Sequence, residues 1–450
     1  MALFETLNNR VAALENGSTT AVKMVEEALE RIHDPRGEGS RAFVKVHSEQ
    51  ALAAAAAYDG LRAAGAAPSP YAGIPISVKD LFDLRGDTTT AGSKALTDGP
   101  PAIADAAAIA QLKRAGLVVV GRTNMTEFAF SGLGLNPHYG TPSNPWDRAT
   151  GRIPGGSSSG AGISVSDGMA AVGIGSDTGG SCRIPAALCG LVGYKPTAAS
   201  VSLEGTVPLS TTLDSIGSVA PSVDCCRIIH EIMSGSVADP DMKSVNGMQI
   251  GVPQTVALEG MDDYVAELFE RTLKRLEGAG ARITYLPLSE FGEIAGINSK
   301  GGFAASEAYA WHAKLIVEKN AKYDPRVLTR ILRGREQSAA DYIELVRARS
   351  DLIRRATLAI SRFDVIAMPT VPTVAPSIAS LEEDDALFTK VNLAMLRNPT
   401  LINMIDGCSI SLPMHQPGEA PAGLMLSMAG GHDAKLFDWA KAVEKKLGSD

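Results

Sequence analysis

Residues 173–185 read GIGSDTGGSCRIP, a Gly-rich run that follows an apolar stretch. Ala170–Gly175 reads as a short strand, and Ser176–Arg183 follows it directly. Gly179 and Gly180 allow the backbone of that turn to fold so that successive N–H groups point into one space. Such a nest binds an anion, or the oxyanion of a tetrahedral intermediate. Ser181 closes the turn, well placed to attack the carbon beside that oxygen. Taken alone, the string is equally compatible with a plain Gly-rich turn.

Similar strand ends lie on both sides. In GIPISVKD (73–80), Ile74–Val78 is a β-branched strand that delivers Lys79 and Asp80 at its carboxyl end. Asp105–Ala115 reads as a helix stopped by Gly116, and Leu117–Val120 as the next strand. Strand, helix and strand at these lengths point to parallel connections. Earlier, Ser18 and Thr19 can cap a helix over Thr20–Ile32, and the alanine-rich Ser48–Ala64 predicts another. Residues 131–160, rich in Gly, Pro, Ser and Asn, predict a long ordered loop of functional character.

Beyond the turn, strands are predicted at Leu191–Tyr194, Ile250–Val252, Ile283–Tyr285, Val365–Met368, Ser409–Leu412 and Leu424–Ser427. Helices are predicted at Asp224–Met233, Asp262–Glu277, Ser306–Lys319, Ala339–Ile360 and Asp433–Leu447. Strands flank the helical stretch at about 304–362, which therefore reads as an insertion or cover over one continuous sheet. The expectation is an α/β protein with 1–450 as a single unit.

Composition limits the function. The chain has 450 residues, 45% hydrophobic and 20% charged, enough to bury a large core. A net charge of -8 argues against nucleic acid as a partner, since phosphate binding needs clustered Lys and Arg. The five cysteines (182, 189, 225, 226, 408) have no CxxC spacing and no His at zinc-ligand spacing, so neither disulfide framework nor structural metal is expected. Cys225–Cys226 reads as small apolar packing on a helix. MALFETLNNR has no basic stretch followed by an apolar run, so no signal peptide is expected. No apolar run approaches ~18 residues, so no membrane span is expected. The expected location is cytoplasmic.

Two further residues complete the chemistry. Ser157 lies in PGGSSSG (154–160), which read alone is a Gly/Ser linker or, better, a helix cap before Ala161–Val165. Lys79 reads as the only lysine at the end of an apolar strand. A free lysine has a pKa of ~10.4 and is a poor base at neutral pH, but desolvation beside hydroxyls lowers that value.

GIPISVKD, GRTNMTEF, NPWD, PGGSSSG, GSDTGGSCRIPA and GLVGYKPT, in that order, closely resemble the amidase signature family. The resemblance runs from about Ile74 to Gly217 and continues through FDVIAMPTVP, NMIDGCSISLP and AGLMLSM. It implies the amidase signature fold, one large twisted mixed β-sheet flanked by helices on both faces. It also implies a serine hydrolase cleaving amide C–N bonds, with esters and carbamates (urethanes) as further substrates. Ser181 would be the nucleophile, Ser157 the bridging serine after a cis peptide bond, and Lys79 the base. The backbone N–H groups of Thr178, Gly179, Gly180 and Ser181 would form the oxyanion hole. Asp177 and Arg183 would brace the turn as an ion pair, and Ser158, Asn124 and Glu127 would support it. No cofactor and no metal are implied.

Leu81 stands where many relatives carry Asn. After YKPT the run AASVSLEG lacks the Gly-Arg-Val-Ser of the glutaminyl-tRNA amidotransferase subunit. That departure argues against membership of that branch; a partner-dependent amidotransferase subunit, as some relatives are, stands as the alternative. GxSxG at Gly156–Gly160 suggests an α/β-hydrolase elbow, but loop precedes it where that motif needs a strand. GIGSDTG lacks the spacing of a nucleotide-binding turn. The acyl pocket is expected from Phe130, Gly132 and Leu133, with 203–213 and 304–345 forming the rest. Phe128 or Phe130 is expected in the core. No Arg or Lys besides Arg183 is assigned to grip a substrate carboxylate, which favours uncharged, partly apolar small molecules. A homodimer is left open.

Overall fold

The computed structural model describes residues 5–448. Its strands are β1 (Phe43–Val46), β2 (Pro75–Lys79), β3 (Val118–Thr123), β4 (Val172–Asp177), β5 (Val192–Lys195), β6 (Ser215–Ala220), β7 (Gln249–Pro253), β8 (Arg282–Leu286), β9 (Val365–Pro369), β10 (Cys408–Pro413) and β11 (Gly423–Met428). They join one sheet in the order β1-β3-β2-β4-β6-β5-β10-β11-β9-β7-β8. β3, β2 and β4 run parallel, as do β9, β7 and β8. Antiparallel pairs link these two groups through β6, β5, β10 and β11. The result is one large mixed sheet flanked by helices, as the sequence predicts.

β2 is buried along its whole length, as are β4, β5 and β6. Strands covered on both faces carry apolar runs, which is why β2, β4 and β5 are legible in sequence; the small residues of β6 hide it. Their ends are less legible. Prediction stops β2 at Val78, β4 at Gly175 and β5 at Tyr194, where the apolar run stops. The ladders continue to Lys79, Asp177 and Lys195, three buried polar residues. Lys79 is therefore not the only strand-end lysine, and Lys195 is its counterpart.

Two strands have no counterpart in the prediction. β1 is a short edge strand, antiparallel to β3. β6, SIGSVA, is built of small residues and sits between β4 and β5. At Gly217 the close approach leaves no room for a side chain: a Cβ there would lie 2.0 Å from the Tyr194 carbonyl oxygen.

Most predicted helices are present within a few residues, including Ala339–Ile360 and Asp433–Leu447. Cys225 and Cys226 are buried on the Val223–Ser234 helix. Between β8 and β9 the helices Gly302–Lys319, Pro325–Leu332 and Ala339–Ile360 occupy the predicted helical stretch. One long helix, Asp385–Met404, has no prediction. It carries Pro399 in its interior, and an internal Pro breaks the pattern by which helices are read.

Candidate active site

Parallel β2 and β4 deliver their carboxyl ends side by side, and the site begins there. Lys79 is fully buried. Its Nζ donates to Ser157 Oγ at 2.7 Å and to Ser176 Oγ at 2.9 Å. Burial pushes its pKa down to about 8, against the opposing pull of Cys182, Asp177 and Asp214. Next to it, Asp80 accepts from Arg122 Nε at 2.7 Å and from the Gly92 N–H at 3.0 Å, which anchors the strand end.

Ser157 comes from the long loop, and its peptide bond with Gly156 is cis. Its carbonyl accepts from the Thr126 N–H at 3.1 Å. The expectation that these serines cap the following helix is replaced by another arrangement. Ser158 sits at the cap position of Ser159–Ser166 but makes no side-chain cap bond. Its Oγ donates instead to the Ser176 carbonyl at 3.4 Å, and its N–H donates to the Ser181 carbonyl at 3.3 Å. Asn124 spans Arg41 O and Gly140 O. Glu127 accepts from Ser93 Oγ, His138 Nε2 and the Asp324 N–H.

β4 ends at Asp177, and a helix starts at Arg183, so the turn is confined to Thr178–Cys182. Gly180 adopts φ 120°, and a Cβ there would meet Pro399 Cβ at 2.5 Å. Asp177 accepts from Arg183 Nη2 at 2.8 Å, Arg183 Nε at 3.0 Å and Asn403 Nδ2 at 3.0 Å. Burial pushes the Asp177 pKa up, but the Arg183 guanidinium outweighs it and holds the carboxyl well below the usual range. Asp177 also takes the Gly180 N–H at 2.8 Å and the Cys182 N–H at 3.1 Å. Gly180, one of four expected oxyanion donors, thus has its N–H engaged; Thr178, Gly179 and Ser181 are left. Arg183 is locked by Asp177, Asn403 Oδ1 and Pro399 O, so it does not reach a substrate.

Thr178, Gly179 and Ser181 line a cavity of about 360 Å³. Its apolar walls include Phe130, Leu209, Phe291, Phe303 and Leu396. The stretch between β8 and β9 contributes Gly302–Ala304, Arg330 and Arg333, and Asp385–Met404 contributes Arg397 and Thr400. Of the residues expected at the acyl pocket, Phe130 lines this cavity. Leu133 is buried in an apolar cluster with Leu188 and Val371, and Gly132 packs against Ile184 and Leu396. Phe128 is a core aromatic against His312 and Tyr323. Arg330, Arg333 and Arg397 line this cavity, three basic side chains that the sequence reading did not assign to a substrate carboxylate.

The family model described as Amidase matches residues 23–437. The chain belongs to the amidase family. It is 33% identical to 2-amino-5-chloromuconic acid deaminase of Comamonas testosteroni, over 98% of this chain and 96% of that protein. It is 31% identical to a glutamyl-tRNA(Gln) amidotransferase subunit of Thermobifida fusca, over 97% of this chain and 94% of that one. A crystal structure of an amidase superposes with a TM-score of 0.89 at 30% identity, covering 99% of this chain and all of that one. Amidase-family enzymes act on C–N bonds, and no helix among the described residues is long and apolar enough to cross a membrane.

Three parts of this amidase-family site escaped the sequence reading. Ser176, the second hydroxyl on Lys79, lies just past the assumed strand end. Asp214 accepts from Thr178 Oγ1 at 2.5 Å and from the Leu209 and Ser210 N–H groups. Burial pushes its pKa up to about 6 against those hydrogen bonds. Glu307 ties the same loop to the helical cover through Ser210, Thr212 and Tyr342.

Proposed function

We propose that this chain is a serine hydrolase cleaving amides, and also esters and carbamates, through an acyl-enzyme on Ser181. The carrying observation is a buried lysine with lowered proton affinity, 2.7 Å from the Ser157 hydroxyl, with the following Ser158 N–H on the carbonyl of Ser181, which lines the cavity. Neutral Lys79 accepts the Ser157 proton while Ser157 takes one from Ser181. Ser181 Oγ attacks the acyl carbon. The oxyanion is met by the N–H groups of Thr178, Gly179 and Ser181. The relay then protonates the leaving amine or alcohol, and water repeats the sequence to free the acid. A direct hydrogen bond joins Lys79 to Ser157; Ser181 completes the relay when substrate draws its hydroxyl to Ser157, since catalytic contacts tighten in the substrate complex.

The continuous sheet supports reading residues 1–450 as one catalytic unit, with the helices between β8 and β9 as its cover. Similarity to an amidotransferase subunit favours a second reading, a chain active only with partners. One assay panel separates the two. The purified chain is given a p-nitroanilide, a p-nitrophenyl ester, an aryl carbamate and a primary amide, with Ser181→Ala in parallel and products identified by mass. Turnover lost in Ser181→Ala is expected. Inertness toward all four would support the partner-dependent reading, and turnover surviving Ser181→Ala would sink the acyl-enzyme.

A further inference from the structure

We infer that the cavity beside Ser181 is shaped for an amide carrying a carboxylate, which Arg330 and Arg397 receive within mainly apolar walls. This rests on the hydrolase reading above and specifies its substrate class. Among the described residues three arginines line the cavity, and no Asp or Glu does. None of the three forms an ion pair within 4.0 Å among the described residues.

Arg330 is held in place. Its Nη1 donates to the Phe130 carbonyl at 2.5 Å, and its guanidinium lies 4.5 Å from the centre of the Phe130 ring. Burial, with Arg333 nearby, pushes its pKa down to about 10, the mark of a cation lacking a counter-charge. Arg397 donates from Nε to Asn398 Oδ1 at 3.0 Å, while its Nη2 is buried without an acceptor. Glu259 attracts Arg397 without forming an ion pair with it, and its Oε1 accepts from the Val256 N–H at 3.0 Å. Arg333 donates to the Ser299 carbonyl at 3.3 Å.

A buried donor without a partner, and a cation without an anion, are both unfavourable. A carboxylate bound in the cavity would supply the anion that these arginines lack. The planar guanidinium fork matches a carboxylate, with two N–H groups meeting two oxygens. The apolar walls meanwhile accept the carbon skeleton between that carboxylate and the scissile bond.

Two matched pairs test this with the full chain. Glutaryl p-nitroanilide is compared with its methyl-ketone isostere, placing the charge on the acyl side. N-butyryl-para-aminobenzoate is compared with N-butyryl-para-aminoacetophenone, placing it on the amine side. In one pair the acid should exceed the ketone in kcat/KM by about tenfold or more, mainly through KM. Arg330→Met and Arg397→Met should each reduce that ratio about tenfold. Ratios near one in both pairs, or a ratio unmoved by both substitutions, overturn the inference. Calorimetry supplies a test that needs neither variant nor turnover: glutarate should bind the wild-type chain at least about tenfold more tightly than its neutral diketone analogue. Equal binding overturns the inference. Ketone turnover lost in Ser181→Ala, without acid preference, sinks the carboxylate alone; turnover surviving Ser181→Ala sinks the hydrolase reading instead.

Discussion

Lys79 at the end of β2 and Lys195 at the end of β5 form a natural experiment within one sheet. Both are buried, and burial pushes both pKa values down to about 8. Their partners differ. Lys79 meets two hydroxyls, Ser157 and Ser176. Lys195 meets two carbonyls, Pro196 O at 2.7 Å and Gly407 O at 2.8 Å. A hydroxyl can donate as well as accept, so it can hand a proton to a neutral amine. A carbonyl only accepts, and it favours the ammonium. Lowered proton affinity therefore does not make a base on its own; a proton donor within reach does. Of the two only Lys79 has one, Ser157, and the N–H of the next residue, Ser158, donates to the carbonyl of Ser181.

The largest effect should come from cutting the relay. Ser181→Ala and Lys79→Met should each lower kcat by about 10³-fold or more with folding intact, since members of such a unit fail together. Lys195→Met should instead leave kcat within about tenfold and cost about 1–3 kcal/mol of stability, because Pro196 O and Gly407 O lose their donor. Steady-state kinetics and denaturant titration read both. Equal loss of kcat in a folded Lys195→Met would break the comparison.

The pH profile comes next. Lys79 works as the neutral amine, so kcat/KM should rise about tenfold per pH unit below 8 and level off above it. At neutral pH only roughly a tenth of the enzyme would hold the base form. Both lysines have folded pKa values below their unfolded ones. Between about 8 and the ordinary lysine value the unfolded chain then binds more protons, so stability should rise with pH across that window. Lys195→Met should remove its share of that rise and leave the activity inflection in place. An inflection that vanished with Lys195 would assign the base to the wrong strand.

The carboxylate between the two lysines should matter more to stability than either. Asp177 holds Arg183, Asn403 and two turn N–H groups. Asp177→Asn leaves a fully buried guanidinium without its anion, a loss of about 3–5 kcal/mol. Chemical denaturation checks it. A loss below about 1 kcal/mol would mean that the carbonyl and amide partners of Arg183 suffice.

Sequence made the sheet legible because strands buried on both faces read as apolar runs, as in Ile74–Val78. The strand ends were not, because Lys79, Asp177 and Lys195 are polar residues that the ladder buries. The motif string placed the lysine and both serines in one site, and the structure brings Lys79 and Ser157 into contact. It could not reveal Asp214, Glu307, Asn403 or the cavity arginines. These come from segments far apart in the chain, and each acts through a neighbour that only folding supplies. Pro399 concealed a helix because its pattern marks a break, although that helix forms a wall of the cavity.

The smallest expected effect probes what holds the oxyanion donors. Thr178 Oγ1 donates to Asp214, which also gathers the Leu209 and Ser210 N–H groups on the loop beside the cavity. Thr178→Val keeps the backbone N–H and the side-chain shape but removes that hydroxyl. Stability should fall by about 1 kcal/mol, and kcat by several-fold with KM little changed, because the donor loses its brace while the cavity keeps its walls. Nothing comparable should follow near Lys195, where Thr197 bonds to Asp433 away from any reacting group. Thr197→Val should therefore lower stability by a similar amount and leave kcat unchanged. If the two valine variants lose kcat alike, the hydroxyl at 178 serves folding only, and the difference between the two strand ends narrows to their lysines.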